Sequence, residues 1–479
     1  MKLNLKQWFN MCHCKARTLR HNIMLYHRKV TTYKQGVVHA TFDPKGPGVV
    51  RLHLIPPKPS FWHDPDSLLV VQGYYLINVG HAFAVILRIF IQELVKRCPT
   101  NREVSMEEVK AIEKETVRQV KRYYPKVSED RIRLDLRQLV TLAIDIGQGN
   151  DLPEELMNGM SLDNYLKHAT GPQRMDLLVA PMTLKGKKCC PLDCGVCYAQ
   201  DQEMMNLNKP LSTRQWKMII DKCRQAGIPM LTFTGGEPLT RHDIVELVEH
   251  AKWFITRINT NGYLLTRELA RELYEASLDG IQITLYSYDP KIHDKLVNTK
   301  GAWQKTVEGI KNALEAGLMI SVNTPLLELN KNYNQTLAFL HQLGVRCVTC
   351  SGLIPTGGAE KEMAGGNALS YEEMKQVLAK AVVVCNELAI DIGFTSPGWM
   401  IPKEIDEIGL PSTPICGACA SNMAIAPNGD VIPCQSWLDG TILGNMLKDT
   451  WKHIWKHKIC HKIQRKYTYK GQCALKKEA

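Results

Sequence analysis

Lys188-Cys189-Cys190-Pro191-Leu192-Asp193-Cys194-Gly195-Val196-Cys197-Tyr198 is the stretch on which the reading of this chain turns. It holds Cys190, Cys194 and Cys197 in a Cys-x3-Cys-x2-Cys array. A cuboidal 4Fe–4S cluster needs thiolates presented from a short irregular loop, because its irons sit at the corners of one compact body. Three ligands leave the fourth iron open, and an open position is where a substrate-like ligand binds. The rival for three clustered thiols is a zinc ion completed by a distant fourth ligand. Cys189 allows a second register, but the three-residue spacing from Cys190 is the one taken here.

Outward from that loop the chain alternates between strand-like and helix-like patterns. Apolar strand runs lie at 175–180, 230–234, 254–259, 280–286, 319–324, 345–350 and 390–395. Amphipathic helical stretches fill the gaps at 213–226, 241–251, 267–276, 303–316, 334–343 and 370–388. Repeated β–α units make a parallel sheet with helices outside it, open or closed into a full or partial barrel. Ligands then gather at the carboxyl ends of the strands. The cysteine loop follows the first strand. Cys347 and Cys350 are also three apart, but inside a strand that spacing points them to opposite faces, so they read as core.

After the second strand comes Gly235-Gly236-Glu237-Pro238. Two glycines let backbone approach a ligand closely, Glu237 offers a carboxylate, and Pro238 can precede a helix. The cysteine array, the aromatic Tyr198 after it, and Gly-Gly-Glu-Pro one βα unit later together resemble the radical S-adenosylmethionine (SAM) superfamily. The resemblance implies an α/β fold built on a partial (β/α)6-type barrel over residues 171–395. It also implies a SAM-binding 4Fe–4S cluster on Cys190, Cys194 and Cys197. SAM would meet Tyr198 and present its methionine amino group to Gly235, Gly236, Glu237 and Pro238. Thr284 and Asn323 sit at strand ends where the family has polar SAM contacts, though either residue can equally serve loop backbone. The implied reaction is reductive cleavage of SAM to a 5′-deoxyadenosyl radical that abstracts hydrogen from a substrate. No residue stands out as a substrate-specific acid or base.

A second cysteine group follows in residues 396–479. Cys416 and Cys419 precede Ala426-Pro427-Asn428-Gly429-Asp430-Val431-Ile432-Pro433-Cys434. Asn428-Gly429 between apolar flanks predicts a hairpin that returns Cys434 beside the pair. Composition alone suits a zinc knuckle. With Leu443-Gly444-Asn445-Met446 and a Trp-containing helix behind it, the segment resembles the SPASM/twitch extension, which implies an auxiliary 4Fe–4S cluster. Only Cys460 and Cys473 follow, which fits the shorter twitch form, with Cys473 as candidate fourth ligand and Cys460 as runner-up.

The 479 residues carry a formal net charge of +12 and sixteen cysteines. The cysteine groups are not dispersed like a secreted disulfide framework, and no apolar core with a small-residue cleavage site follows Met1. A reducing cytoplasm is therefore expected. The most apolar stretch, 68–94, is interrupted by Gln72, Gly73, Asn78, Gly80, His81 and Arg88. Lipid would have to bury those groups, so it reads as a buried strand followed by a buried helix, with no membrane partner. Residues 1–36 form a basic arm, read first as solvated and second as a landing strip for an acidic peptide or nucleic acid. Its Cys12-His13-Cys14 triplet is too tight for easy chelation.

Residues 37–170 predict an N-terminal α+β domain. Strand runs at 37–42, 49–55 and 68–71 precede helices at 82–96, from the Ser105–Glu108 capping box to about Tyr123, and at 130–146, with turns near 147–150 and 158–160. This loosely resembles the winged-helix element with which peptide-modifying members pair with a leader strand. The leading expectation is a maturase of a ribosomally made peptide or protein, supplied with electrons by a flavodoxin- or ferredoxin-type donor. The alternatives are a cofactor-pathway cyclase or small-molecule dehydrogenase and, outside enzymes, a zinc-stabilised nucleic-acid-binding protein.

Overall fold

The computed structural model describes residues 23–42, 50–57, 59, 61, 66–71, 75–98, 104–147, 169–466, 472, 473 and 475. The chain divides into two compact units at Ala169/Thr170. The Cys12–Cys14 triplet and the turns expected near 148–150 and 158–160 lie outside the described residues.

Among the described residues the first unit opens with a helix over 23–35, inside the stretch expected to be a solvated basic arm, and an antiparallel meander follows: β1 (Val38–Phe42), β2 (Val50–Ile55), β3 (Ser67–Val71) and β4 (Tyr75–Val79), paired in chain order. The 68–94 stretch makes two strands rather than one before its helix, with Leu69 opposite Ile77. Helices α1 (His81–Arg97), α2 (Met106–Tyr123) and α3 (Glu129–Gly147) follow. Helix α1 is apolar on two sides because it packs on two neighbours. Ala84, Leu87 and Ile91 meet Leu52, Leu54 and Val71 of the sheet, while Ile86 and Ile89 meet Val117, Val120, Ile132 and Leu136 of α2 and α3. The capping box that opens α2 forms as its residues require: Glu108 N donates to Ser105 Oγ at 3.2 Å and Ser105 N to Glu108 Oε2 at 2.9 Å.

The second unit is built on seven parallel strands in chain order: β5 (Arg174–Ala180), β6 (Met230–Gly235), β7 (Ile255–Thr260), β8 (Gly280–Thr284), β9 (Met319–Pro325), β10 (Cys347–Ser351) and β11 (Asp391–Phe394). Helices lie between consecutive strands, as βαβ connections demand; α4 (Thr213–Gln225), α5 (Ile244–His250), α6 (Arg267–Glu275), α7 (Pro290–Leu296), α8 (Ala302–Glu315), α9 (Tyr333–Leu343), α10 (Gly358–Ala364) and α11 (Tyr371–Glu387) are the main ones. The result is a partial α/β barrel. Its opposite edge is extended rather than closed: β12 (Asn422–Ile425) pairs parallel with β5, and β13 (Asp430–Ile432) and β14 (Gly444–Asn445) continue antiparallel. The Asn428-Gly429 hairpin thus forms between Ala424–Ile432 and Ile425–Val431 pairs, with Gly429 at φ 90°. Helices α12 (Pro402–Ile408), α13 (Trp451–Trp455) and α14 (Lys458–Lys466) complete this unit.

Strand alternation sorts the sheet into two faces. Ile281, Ile283, Val322 and Val348 are fully buried on one face. The intervening residues are polar: Gln282, Thr284, Asn323 and Thr349. Cys350 is buried, but Cys347 is exposed, so the opposite-face argument holds and only Cys350 is core.

Candidate active site

The cysteine loop leaves the carboxyl end of β5 and is clamped from two sides. Asp193 N donates to Val297 O at 3.0 Å and Gly195 N to Leu296 O at 3.1 Å, pinning it to the end of α7. Gly358 N donates to Cys197 O at 2.9 Å from the start of α10. The approach there leaves no room for a side chain: a Cβ on Gly358 would stand 2.2 Å from Gly195 O, and one on Gly357 2.6 Å from Cys197 O. Gly357-Gly358 is a site element that the sequence reading passed over, although a second Gly-Gly after a strand was visible.

Cys190, Cys194 and Cys197 lie within electrostatic reach of one another. Burial pushes the Cys190 thiol up to about 12, and burial with mutual repulsion pushes Cys194 up as well. Three part-buried thiols that resist ionisation together are stabilised as thiolates by a cationic core, and a compact iron–sulfur cube supplies one. Among the described residues no three His, Cys, Asp or Glu side chains close on one point as the ligands of a single ion do. A cluster makes a looser demand, since each thiolate meets its own corner iron. The thiol set therefore fits the group that the loop implies.

Two donors already point at these sulfurs. Asn261 Nδ2 lies 3.7 Å from Cys190 Sγ, and the buried Tyr286 hydroxyl donates to Cys194. Tyr198 is turned inward: its hydroxyl donates to Gly235 O at 3.2 Å, and its ring packs with Leu178, Ala424 and Ile432. Its side chain thus serves the protein.

Gly-Gly-Glu-Pro sits at the end of β6, one strand along. A Cβ on Gly235 (φ 128°) would stand 2.5 Å from Ala180 O, and one on Gly236 2.7 Å from Pro181 O. The glycines are therefore required by close packing of two strand ends. Pro238 opens only a single 3-10 turn, Pro238–Thr240. Glu237 is 1% exposed. Its Oε1 accepts from Leu239 N at 3.0 Å and from Thr260 Oγ1 at 2.6 Å, and its Oε2 accepts from Asn261 N at 2.9 Å. Burial raises its pKa against the pull of those three donors. The carboxylate braces the β6 loop to the β7 loop, and through Asn261 to Cys190.

Thr284 and Asn323 are register partners on β8 and β9, and Thr349 stands next to Asn323 on β10. Thr349 Oγ1 donates to Asn323 Oδ1 at 2.9 Å and accepts from Gln282 Nε2 at 3.2 Å. The two expected strand-end residues are thus brought together in one polar row. Another row, earlier on the strands, was not expected. Asp176, Thr232 and Arg257 stand in register on β5, β6 and β7. Asp176 is fully buried and pairs with Arg174 at 2.8 Å, while burial and the Arg174 charge lower the Arg257 pKa. An acid inside the apolar run 175–180 was the available signal.

The second cysteine group converges as well. Cys419 lies in hydrogen-bond contact with Cys460 and within electrostatic reach of Cys434 and Cys416, and Cys473 lies within reach of Cys434. Cys419 N donates to Pro433 O at 3.1 Å, which is how the hairpin returns Cys434 to the pair. Contact with Cys460, together with burial, holds Cys419 well above the usual thiol range. Five sulfurs, including both candidate fourth ligands, share this neighbourhood. All fourteen cysteines among the described residues are free thiols.

Residues 187–343 match the family model described as the radical SAM superfamily, and residues 416–475 match SPASM, described as an iron–sulfur cluster-binding domain. The chain carries a radical SAM domain followed by a SPASM domain. A radical SAM domain takes a 4Fe–4S cluster and SAM, and a SPASM domain takes auxiliary iron–sulfur cluster chemistry. The radical SAM region is similar to an AdoMet-dependent heme synthase of Oleidesulfovibrio alaskensis, 29% identical over 194 residues, covering 40% of this chain and 49% of that protein. It is also similar to a PqqA peptide cyclase of Bradyrhizobium diazoefficiens, 33% identical over 156 residues, covering 32% of this chain and 38% of the relative. The chain thus spans less than half the length of these curated relatives. The fold is similar to that of Streptococcus suis SuiB bound to its precursor peptide SuiA, with a TM-score of 0.53 at 14% identity over 90% of each chain. Among the described residues no helix is long and apolar enough to cross a membrane.

Proposed function

We propose that this chain is a radical SAM enzyme acting on a ribosomally made peptide or protein. The observation that carries the activity is the clamped loop with Cys190, Cys194 and Cys197 at the carboxyl end of the barrel, braced through Asn261 to Glu237. When bound, the cluster supplies the electron that splits the sulfonium–carbon bond of SAM, giving methionine and the 5′-deoxyadenosyl radical that takes hydrogen from substrate. The chain's own residues position and shield. Glu237 fixes the β7 loop, Asn261 and Tyr286 donate to the thiolates, and Leu192, Val196, Val297 and Leu353 surround the loop with apolar side chains, keeping water from a reactive site. We assign SAM contacts to the backbone of Gly235–Pro238, to the Tyr198 segment, and to the strand-end row of Thr284 and Asn323. The auxiliary ligand set we propose is Cys416, Cys419 and Cys434, completed by Cys460 or Cys473.

The peptide reading draws support from the likeness to peptide-bound SuiB over most of the chain, from the peptide cyclase relative, and from the first unit. There β1 and β4 are sheet-edge strands among the described residues, and an extended segment can add to such an edge. A second reading, modification of a tetrapyrrole, is favoured by the longer match to the heme synthase. Anaerobic reconstitution followed by 5′-deoxyadenosine quantification under dithionite tests the activity: colourless protein with stoichiometric zinc and no SAM cleavage overturns it. Stimulation of cleavage by short peptides encoded beside the gene, against stimulation by porphyrins, separates the two substrates.

A further inference from the structure

From Lys452 to Lys466 the chain carries Lys452, His453, Lys456, His457, Lys458, His461, Lys462, Arg465 and Lys466 and no acidic residue. The structure turns this run into one surface. Lys452 and His453 project from α13, Lys456 from its C-terminal cap, and Lys458, His461, Lys462 and Arg465 from α14, all exposed. Lys452, Lys456 and Lys458 pair with no carboxylate among the described residues, whereas many lysines elsewhere do (Lys217, Lys331, Lys361 and Lys375 among them). Between the two helices lies an open hollow of about 540 Å³ lined by Thr450, Lys452, His453, Lys456, His457 and Lys458. Unpaired like charges around a hollow raise a field that steers and orients an anionic partner.

What lies under this surface selects the partner. Cys460 is buried on α14 together with Ile463; its Sγ contacts Ile454 O of α13 at 3.8 Å and lies against Cys419. Gln464 Nε2, one turn on, donates to Cys419 O at 2.5 Å. The basic face and the auxiliary sulfurs are thus opposite sides of the same short helices, about 10 Å apart, one helix thickness. A positive surface backed by an iron–sulfur site fits a small acidic carrier of single electrons.

Resting on the auxiliary-cluster reading above, we propose that the α13–α14 face docks a small acidic one-electron donor protein, a flavodoxin or ferredoxin type, and that electrons enter this chain there. In the step, the donor's reduced flavin or iron–sulfur centre loses one electron and the auxiliary cluster gains it; no bond forms or breaks. Charge complementarity and the sulfurs beneath favour this occupant over an acidic leader peptide, which needs no redox centre behind its site.

The test uses the full chain with both clusters reconstituted, an acidic flavodoxin as probe, and the triple variant Lys452→Glu/Lys456→Glu/Lys458→Glu. Lys291→Glu/Lys295→Glu/Lys311→Glu, with the same charge change on α7 and α8, is the control. Stopped-flow cluster bleaching by flavodoxin hydroquinone and flavodoxin affinity are measured at low and high salt. The expected result is a loss of at least tenfold in both for the first variant at low salt, little change for the control, and unchanged equilibrium reduction by dithionite in both. Equal losses in the two variants, or an unchanged rate in the first, overturn the docking proposal. Selective loss of affinity for an acidic leader peptide, with flavodoxin unaffected, overturns it in favour of that partner. Absence of a second cluster's iron from the wild-type chain instead overturns the auxiliary-cluster reading on which it rests.

Discussion

Replacing Glu237 by Gln tests whether the Gly-Gly-Glu-Pro carboxylate works for the fold or for the ligand. Its two oxygens accept from three donors in a site only 1% exposed. A glutamine keeps one acceptor oxygen. If that oxygen stays with Leu239 N and Thr260 Oγ1, the new NH2 faces Asn261 N–H, donor against donor. If the amide turns over, Leu239 N and Thr260 lose their acceptor instead. Either way at least one buried donor is stranded, at about 1–3 kcal/mol, and a charge-assisted bond is lost. The neutral amide recovers part of this, because burial already disfavours the ionised carboxylate. A net loss of about 2 kcal/mol is expected for Glu237→Gln, and about 3–6 for Glu237→Ala, which strands all three donors.

The assay is urea unfolding of the reduced, metal-free chain without SAM, followed by tryptophan fluorescence. Seven of the nine tryptophans, Trp216 to Trp455, belong to the second unit, so the signal reports the barrel. A midpoint shift at constant slope is the expected outcome. An unchanged midpoint together with weakened SAM binding would refute the brace and return the carboxylate to direct contact with the ligand.

Four further outcomes are expected. Cys190→Ala/Cys194→Ala/Cys197→Ala abolishes 5′-deoxyadenosine formation while keeping the auxiliary iron, as iron and sulfide analysis will read; retained SAM cleavage refutes the assignment. Cys416→Ala/Cys419→Ala lowers iron by about one cluster and leaves the SAM-cleaving cluster in place, so unchanged iron refutes the auxiliary site. Gly358→Ala forces a Cβ to within 2.2 Å of Gly195 O, and is expected to lower occupancy of the first cluster with little change in circular dichroism; wild-type iron content counts against the clamp. His293 is fully buried with its pKa lowered by burial to about 4, so as pH falls below 6.5 the unfolded chain takes up the proton first and stability drains until about pH 4. The drop is about 3 kcal/mol for this group, and His293→Gln removes it; parallel pH–stability curves for the two proteins refute it.

The barrel was legible because its code is local. Each strand run was apolar and each helix carried a 3.6-residue stripe, so strands β5 to β11 fall within a few residues of where periodicity put them. The helix over 23–35 was hidden in a run read for its charge, and three short helices, α7, α10 and α12, were missed because each has seven residues, two start at a proline, and none completes enough turns to show a stripe. Strand β4 was missed because it continues an apolar run already assigned to a strand and a helix. At the site, motif spacing named the thiols, but spacing carries no information about which atoms a side chain meets. Glu237 looked like a ligand and is held by three protein donors. Tyr198 looked like a cofactor contact and gives its hydroxyl to Gly235. Asp176 and Arg257 are chemically conspicuous only after β5, β6 and β7 align in register.

The pairing that no local pattern could announce is β12 on β5, and it explains why one chain holds two cysteine groups. Left unpaired, β5 would be the raw edge of the barrel, with its backbone donors and acceptors open to water. The SPASM hairpin covers that edge in parallel register, Ala424 against Asp176 and Ile425 against Leu177. The same pairing drops Ala424 and Ile432 onto Leu178, Cys197 and Tyr198, so one apolar cluster joins the last thiol of the first group to the hairpin of the second. Cys434, just past that hairpin, lies within electrostatic reach of both Tyr198 and Asp176. Two redox centres built on separate elements would drift with every domain motion. Here the two cysteine groups hang from adjacent strands of one sheet, with Tyr198 packed among the apolar side chains that join them. Electron transfer weakens steeply with distance, so a fixed, filled gap is what the route proposed from the basic α13–α14 face towards Cys197 would require, and the edge pairing of β12 is consistent with one.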